Sequence, residues 1–176
     1  MTFIEHLLKL KDGPNGRRAL ATLRRGLGKP PGSEPEMHRY VLAPQVAPAR
    51  WEWEEDMRYL VAALFALHPE NAADQRSNLG AHFAALCEGD SEPSPAVERR
   101  FNALLDSHPD DLYRTLQPAV SLLKSKGVAV NWDQLLRDLQ RWDDPDMRRD
   151  VQRWWARQFW SAFARSQPES PQQVAD

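Results

Sequence analysis

Wherever prolines and glycines leave the chain uninterrupted, its apolar residues fall three and four apart. That spacing gathers them on one side of a helix and cannot line one face of a strand. The clearest instance is "NWDQLLRDLQRW", where Trp132, Leu135, Leu136, Leu139 and Trp142 follow the cap residue Asn131. Thr2 and Glu5 form a capping-box pair ahead of Phe3, Ile4, Leu7 and Leu8, in a helix that should stop near "KDGPNG". Ser94 with Pro95 and Asp144 with Pro145 open two more, the last running to about Arg165. Pro109 starts another, in which Pro118 predicts a kink. From 51 to 68, Trp53, Met57, Leu60, Val61, Leu64 and Phe65 make a helix apolar nearly all round toward its end, which assigns it to the centre of the core. A short helix carries Leu79, Phe83 and Leu86. With few β-branched runs against abundant Leu, Ala, Arg, Glu and Gln, the expectation is an all-α protein of about seven to nine helices.

Breaks in the pattern divide the chain. "EGDSEPSP" reads as a linker between two small packed lobes, residues 1–90 and 91–165, while "KPPGSEPE" reads as an exposed loop. The end, "SQPESPQQVAD" at 166–176, offers little to anchor it and is expected to be disordered. Cys87 stands alone in the apolar run "LGAHFAALC", so there is no disulfide framework, and a reducing, cytoplasmic setting is expected. The N-terminus does not read as a secretory signal, and "YLVAALFAL" is too short to span a bilayer, so a soluble protein without membrane contact is expected.

Charge is segregated along the chain although the whole carries a net charge of only −2. The first thirty residues hold seven Lys or Arg against two acids, and the next sixty-five hold four against eleven. In "RRALATLRRG" a helical wheel places Leu20, Leu23 and Leu27 on one arc, with Arg17, Arg18, Arg24 and Arg25 together on another. The leucines face the core, and the arginines face outward with only Asp12 near them in sequence. Exposed arginines are commonly no more than a solvated face; four together without acidic partners one turn away point to a polyanion.

Further cations have competing explanations. Arg99 and Arg100 precede the apolar Phe101, and Lys29 extends the first cluster. Lys124 and Lys126 sit at a helix C-terminus, where opposing the helix dipole is reason enough for them. Arg137 lies on the polar face of its helix. In the last helix Arg149, Arg153 and Arg157 form a stripe beside Trp160, a pairing able to grip phosphate and stack on a base, yet Asp146 and Asp150 precede Arg149 and Arg153 by three residues and suit helix-surface ion pairs. Trp132, Trp142, Trp154 and Trp155 read as packing residues.

No catalytic constellation emerges. His6, His38, His68, His82 and His108 fall in different segments, no zinc-ligand spacing or Gly-rich phosphate loop is present, and Cys87 has no evident activating base. Neither metal nor cofactor is expected. "EWEED" could supply carboxylates to a magnesium-dependent nuclease, but Glu52, Glu55 and Asp56 occupy the first turns of a helix, where the dipole favours acids. A binding or scaffolding protein is therefore preferred to an enzyme.

The ordered set "ALATLRRG", "LVAALFALHP", "SNLGAHFAAL", "VERRFNALLDSHPDDLYRTLQPAVSLLKSKGVAVNWDQLLRDLQRW" and "WWARQFW" resembles CasB, the small-subunit family of the type I-E CRISPR surveillance complex Cascade, over residues 1 to about 163. The resemblance implies an all-helical, non-catalytic subunit present in two copies along the CRISPR RNA-bearing backbone. It further implies contact with CRISPR RNA and the target and displaced DNA strands, stabilising the R-loop through basic surfaces. By motif position Arg24, Arg25, Arg99 and Arg100 inherit that role; Arg17, Arg18, Lys29, Lys124, Lys126, Arg137, Arg149 and Arg153 join them on charge and helical facing alone. A helical protein–protein assembly module without nucleic-acid contact is the alternative. The long Pro-rich loop and the polar tail depart from the family pattern.

Overall fold

A computed structural model describes residues 1–164. Among them are nine α-helices: α1 (Phe3–Asp12), α2 (Gly16–Leu23), α3 (His38–Val41), α4 (Glu52–Leu67), α5 (Leu79–Ala85), α6 (Pro95–Leu105), α7 (Leu112–Ser125), α8 (Trp132–Leu139) and α9 (Pro145–Ala164). The protein is all-α, and an isolated parallel bridge between Asn71 and Val130 is the extended pairing seen among the described residues. The 166–176 tail lies outside them.

The caps follow the side-chain chemistry. Thr2 and Glu5 close a reciprocal capping box, Ser94 Oγ accepts from the Val97 N–H, and Asn131 Oδ1 accepts from the Gln134 N–H at 3.1 Å. Asp144 Oδ1 accepts from the N–H groups of both Asp146 and Met147 at 2.9 Å. Pro109 begins a single 3₁₀ turn rather than the helix itself, and α7 runs through Pro118.

Helix α4 is the axis of the molecule. Its residues from Tyr59 to Ala66 are all buried, and it packs against α1, α2, α3, α7 and α8. That arrangement explains why its apolar residues spread around the whole circumference instead of forming a stripe. The buried side chains make one cluster drawn from both sides of residue 90. Trp53 ties the start of α4 to the end of α8 by donating Nε1–H to the Leu139 carbonyl at 2.9 Å.

The most extensive helix pairing is α5 on α9. A Cβ on Gly80 would stand 1.9 Å from the Trp155 carbonyl oxygen, so glycine is what lets the two backbones meet. Phe101 stacks on Phe159 with ring centroids 4.3 Å apart, joining α6 to the same assembly. Trp132, Trp142 and Trp155 are fully buried, as packing residues should be, while Trp154 is half-buried.

Between α4 and α5 the chain is clamped to the turn before α8. His68 Nε2 donates to the Val128 carbonyl, Trp132 Nε1 donates to the Glu70 carbonyl, and Asn131 Nδ2 donates to the carbonyls of Asp74 and Ser77. His82 Nε2 accepts the Asn131 N–H at 3.0 Å, and burial holds its pKa down to about 4.

Candidate nucleic-acid interface

The basic surface begins where α1 turns into α2. A Cβ at Gly16 would come within 2.0 Å of the Lys11 carbonyl oxygen, so glycine permits a turn tight enough to lay α2 against α1. With Ala19, Leu20 and Leu23 buried against the core, Arg17 and Arg18 project into solvent. Neither takes part in an ion pair with a described residue.

The α-helix ends at Leu23, and residues 24–26 tighten into a 3₁₀ turn, so the wheel drawn through Arg24 and Arg25 overruns the helix. Arg24 donates Nε–H to the Ala66 carbonyl at 2.7 Å, placing a cation on the C-terminal turn of α4. Arg25 pairs with Glu36 at 2.5 Å, and Lys29 with Glu34 at 2.6 Å. The Pro-rich segment thus folds two acids back onto the basic cluster, a neutralisation that sequence proximity did not reveal. The Lys29 ammonium holds the Glu34 carboxyl below its ordinary value. Arg25 and Glu36 are both more than half exposed; such a pair contributes at most about 1 kcal/mol, and a phosphate can compete for it.

Two cations absent from the sequence-derived set join this region. Arg39, on α3, and Lys9, on α1, are exposed and line a cleft of about 430 Å³ with Asn15, Arg18 and Tyr40. Arg18, Arg39 and Tyr40 also line an adjoining cleft of about 450 Å³. Buried His6 sets the spacing: Nε2 donates to the Tyr40 carbonyl at 2.8 Å, and Nδ1 accepts from Gln45 Nε2 at 3.1 Å, strapping α3 to α1. The signal for Arg39 was faint but present, since Met37 and Val41 are a helical turn apart in a segment too short to register as a helix.

Elsewhere the predicted cations are dispersed. Arg99 and Arg100 are exposed on α6, backed by fully buried Phe101, and make no ion pair with described residues. Lys124 and Lys126 are exposed at the end of α7. Arg137 donates to Gln134 Oε1, and Arg149 pairs with Asp146 at 3.1 Å, as the helix-surface reading had it. Arg153 is exposed, and Trp160 on the same helix is 42% exposed.

Glu54, not the neighbours considered for metal binding, pairs with Arg58. Asp56 is raised above its ordinary pKa by burial and by the nearby charges of Glu52 and Glu55. No group of three His, Cys, Asp or Glu among the described residues is arranged to hold a metal. No helix among them is long and apolar enough to cross a membrane.

Fold and surface together define an all-helical protein that displays exposed guanidinium groups over one buried core. Residues 19–160 match the family described as CRISPR-associated protein Cse2, and the chain belongs to that family. A CRISPR-associated protein Cse2 from Thermus thermophilus is 35% identical over 173 residues, covering 98% of this chain and 95% of that relative. The crystal structure of CasB from Thermus thermophilus superimposes with a TM-score of 0.77 at 32% identity, covering 92% of this chain and 99% of that one. A chain of a CRISPR RNA-guided surveillance complex matches with a TM-score of 0.69 at 28% identity, covering 93% of this chain and 92% of that one.

Proposed function

We propose that this protein is a non-catalytic, nucleic-acid-binding subunit of a CRISPR RNA-guided surveillance complex, acting in two copies beside the RNA-bearing backbone subunits to stabilise the R-loop. The observation that carries the reading is the set of exposed arginines without acidic partners among the described residues, Arg17 and Arg18 on α2 and Arg99 and Arg100 on α6, each pair seated on a buried apolar face. The likeness to a chain of such a complex supports the setting.

The physics suits the task. Exchanging a DNA duplex for an RNA–DNA hybrid is nearly balanced in free energy, so modest backbone contacts tip it. Neutralising phosphates releases counterions and gives affinity without reading bases, which a subunit serving any guide requires. Arg25 and Lys29 act as a reserve, released when phosphates displace Glu36 and Glu34.

The test is R-loop formation by the reconstituted complex over a range of salt concentrations. With Arg17, Arg18, Arg99 and Arg100 changed to Ala, the R-loop should be less stable and the salt dependence shallower. Full complex assembly with unchanged R-loop stability and salt dependence in that variant would leave the assembly-module reading in its place.

A further inference from the structure

The cleft at the junction of α1, α2 and α3 has a different form from an exposed strip. Lys9, Arg18 and Arg39 come from three separate helices and line one concavity, and none is in an ion pair with a described residue. The first turn of α2 lines the same cleft; its N-cap Asn15 makes no side-chain capping bond, and no acid lies in that turn, so the helix brings uncompensated positive potential. Leu10 and Ala19 supply apolar wall, and Tyr40 an aromatic ring with its backbone fixed by His6. Its volume of about 430 Å³ is that of a pocket for a small organic ligand, whereas a strand bound only along its backbone needs no such recess. Glu36 lines the adjoining cleft, and its charge is countered by Arg25.

We propose that this cleft is a nucleotide-sized site for a phosphate ester, with the phosphate held by Lys9, Arg18 and Arg39 and the base against Tyr40. Two sources share that chemistry: a free nucleotide, or the phosphorylated terminal nucleotide of a strand. Guanidinium forks from Arg18 and Arg39 favour the planar, bidentate capture of phosphate oxygens. The site goes beyond strand binding, since a terminal or free phosphate carries more charge than a backbone diester and suits three cations lining one cleft.

The experiment is calorimetric titration of the full chain with ADP and with inorganic phosphate, and competition between 5′-phosphorylated and 5′-hydroxyl oligonucleotides of one sequence. Binding of ADP, weakened tenfold or more by Arg18→Ala and by Arg39→Ala but unchanged by Arg114→Ala on α7, an exposed arginine outside both surfaces, supports the site with a free nucleotide as its source. Preference for the 5′-phosphorylated strand, abolished by Arg39→Ala while ADP does not bind, supports it with a strand end. Circular dichroism confirms that the variants remain folded, and Arg39→Lys should restore part of either binding. Absence of both ADP binding and 5′-phosphate preference, or their persistence in Arg39→Ala, overturns the proposal. R-loop stability that ignores Arg17, Arg99 and Arg100 while ADP binding is intact would sink the strand-binding function and leave this site standing.

Discussion

Trp155 on α9 donates its indole Nε1–H to Asp138 Oδ2 on α8 at 2.7 Å, with both side chains buried. Gln134 Nε2 donates to the other carboxylate oxygen at 2.8 Å. Two donors satisfy the acid, yet its burial dominates and pushes its pKa up to about 6.

Asp138 and His82 give stability an unusual pH profile. A carboxyl with a raised folded pKa holds its proton longer in the native state, so its contribution falls as pH rises from 3.8 toward 6. His82, held down to about 4 from 6.5, does the reverse and costs stability as pH falls through that range. The two slopes oppose each other between about pH 4 and 6 in the native protein. Asp138→Asn removes one of them, so urea denaturation should then show stability dropping steadily on acidification from pH 6.5 to 4, by about 3 kcal/mol at most.

Gly80→Ala should destabilise the protein by roughly 3 kcal/mol or more, because its methyl group has a backbone carbonyl, not a movable side chain, in its way. Thermal unfolding measures the loss. Gly89→Ala provides the contrast: nothing lies within 4 Å of the added carbon, so whatever it costs comes from the positive φ of 92° alone.

Phe101→Ala removes the ring stacked on Phe159 and should cost about 3 to 5 kcal/mol in chemical denaturation. Arg99→Ala and Arg100→Ala, two and one residues away on exposed positions, should change stability by less than about 0.5 kcal/mol.

Arg24→Ala should lower both stability, by about 1 kcal/mol, and nucleic-acid affinity, because its guanidinium holds the end of α4 as well as carrying charge. Arg17→Ala and Arg18→Ala should leave the melting temperature unchanged, and each lost phosphate contact should reduce the slope of log affinity against log salt by about 0.9.

Glu34→Gln with Glu36→Gln should strengthen nucleic-acid binding and steepen its salt dependence, since it releases Lys29 and Arg25 from their partners. Filter binding at several salt concentrations reads both effects.

Helix identity and the caps were legible in the amino-acid order because their causes are local. The spacing from Trp132 to Trp142 and the hydroxyl or carboxamide oxygens of Thr2, Ser94 and Asn131 act within one or two turns of themselves. The outward placement of Arg17 and Arg18 followed in the same way from the buried leucines behind them. What only the tertiary structure decided was which charges stay uncompensated. Glu34 and Glu36 reach the basic cluster because the Pro-rich segment turns back, Arg24 meets a carbonyl 42 residues away, and Arg39 and Lys9 share a cleft because His6 straps α3 to α1. These Coulombic and hydrogen-bonding partners are chosen by distance in space, and packing around α4 sets those distances, so the helical spacing that specifies the caps and the Arg149–Asp146 pair does not specify them.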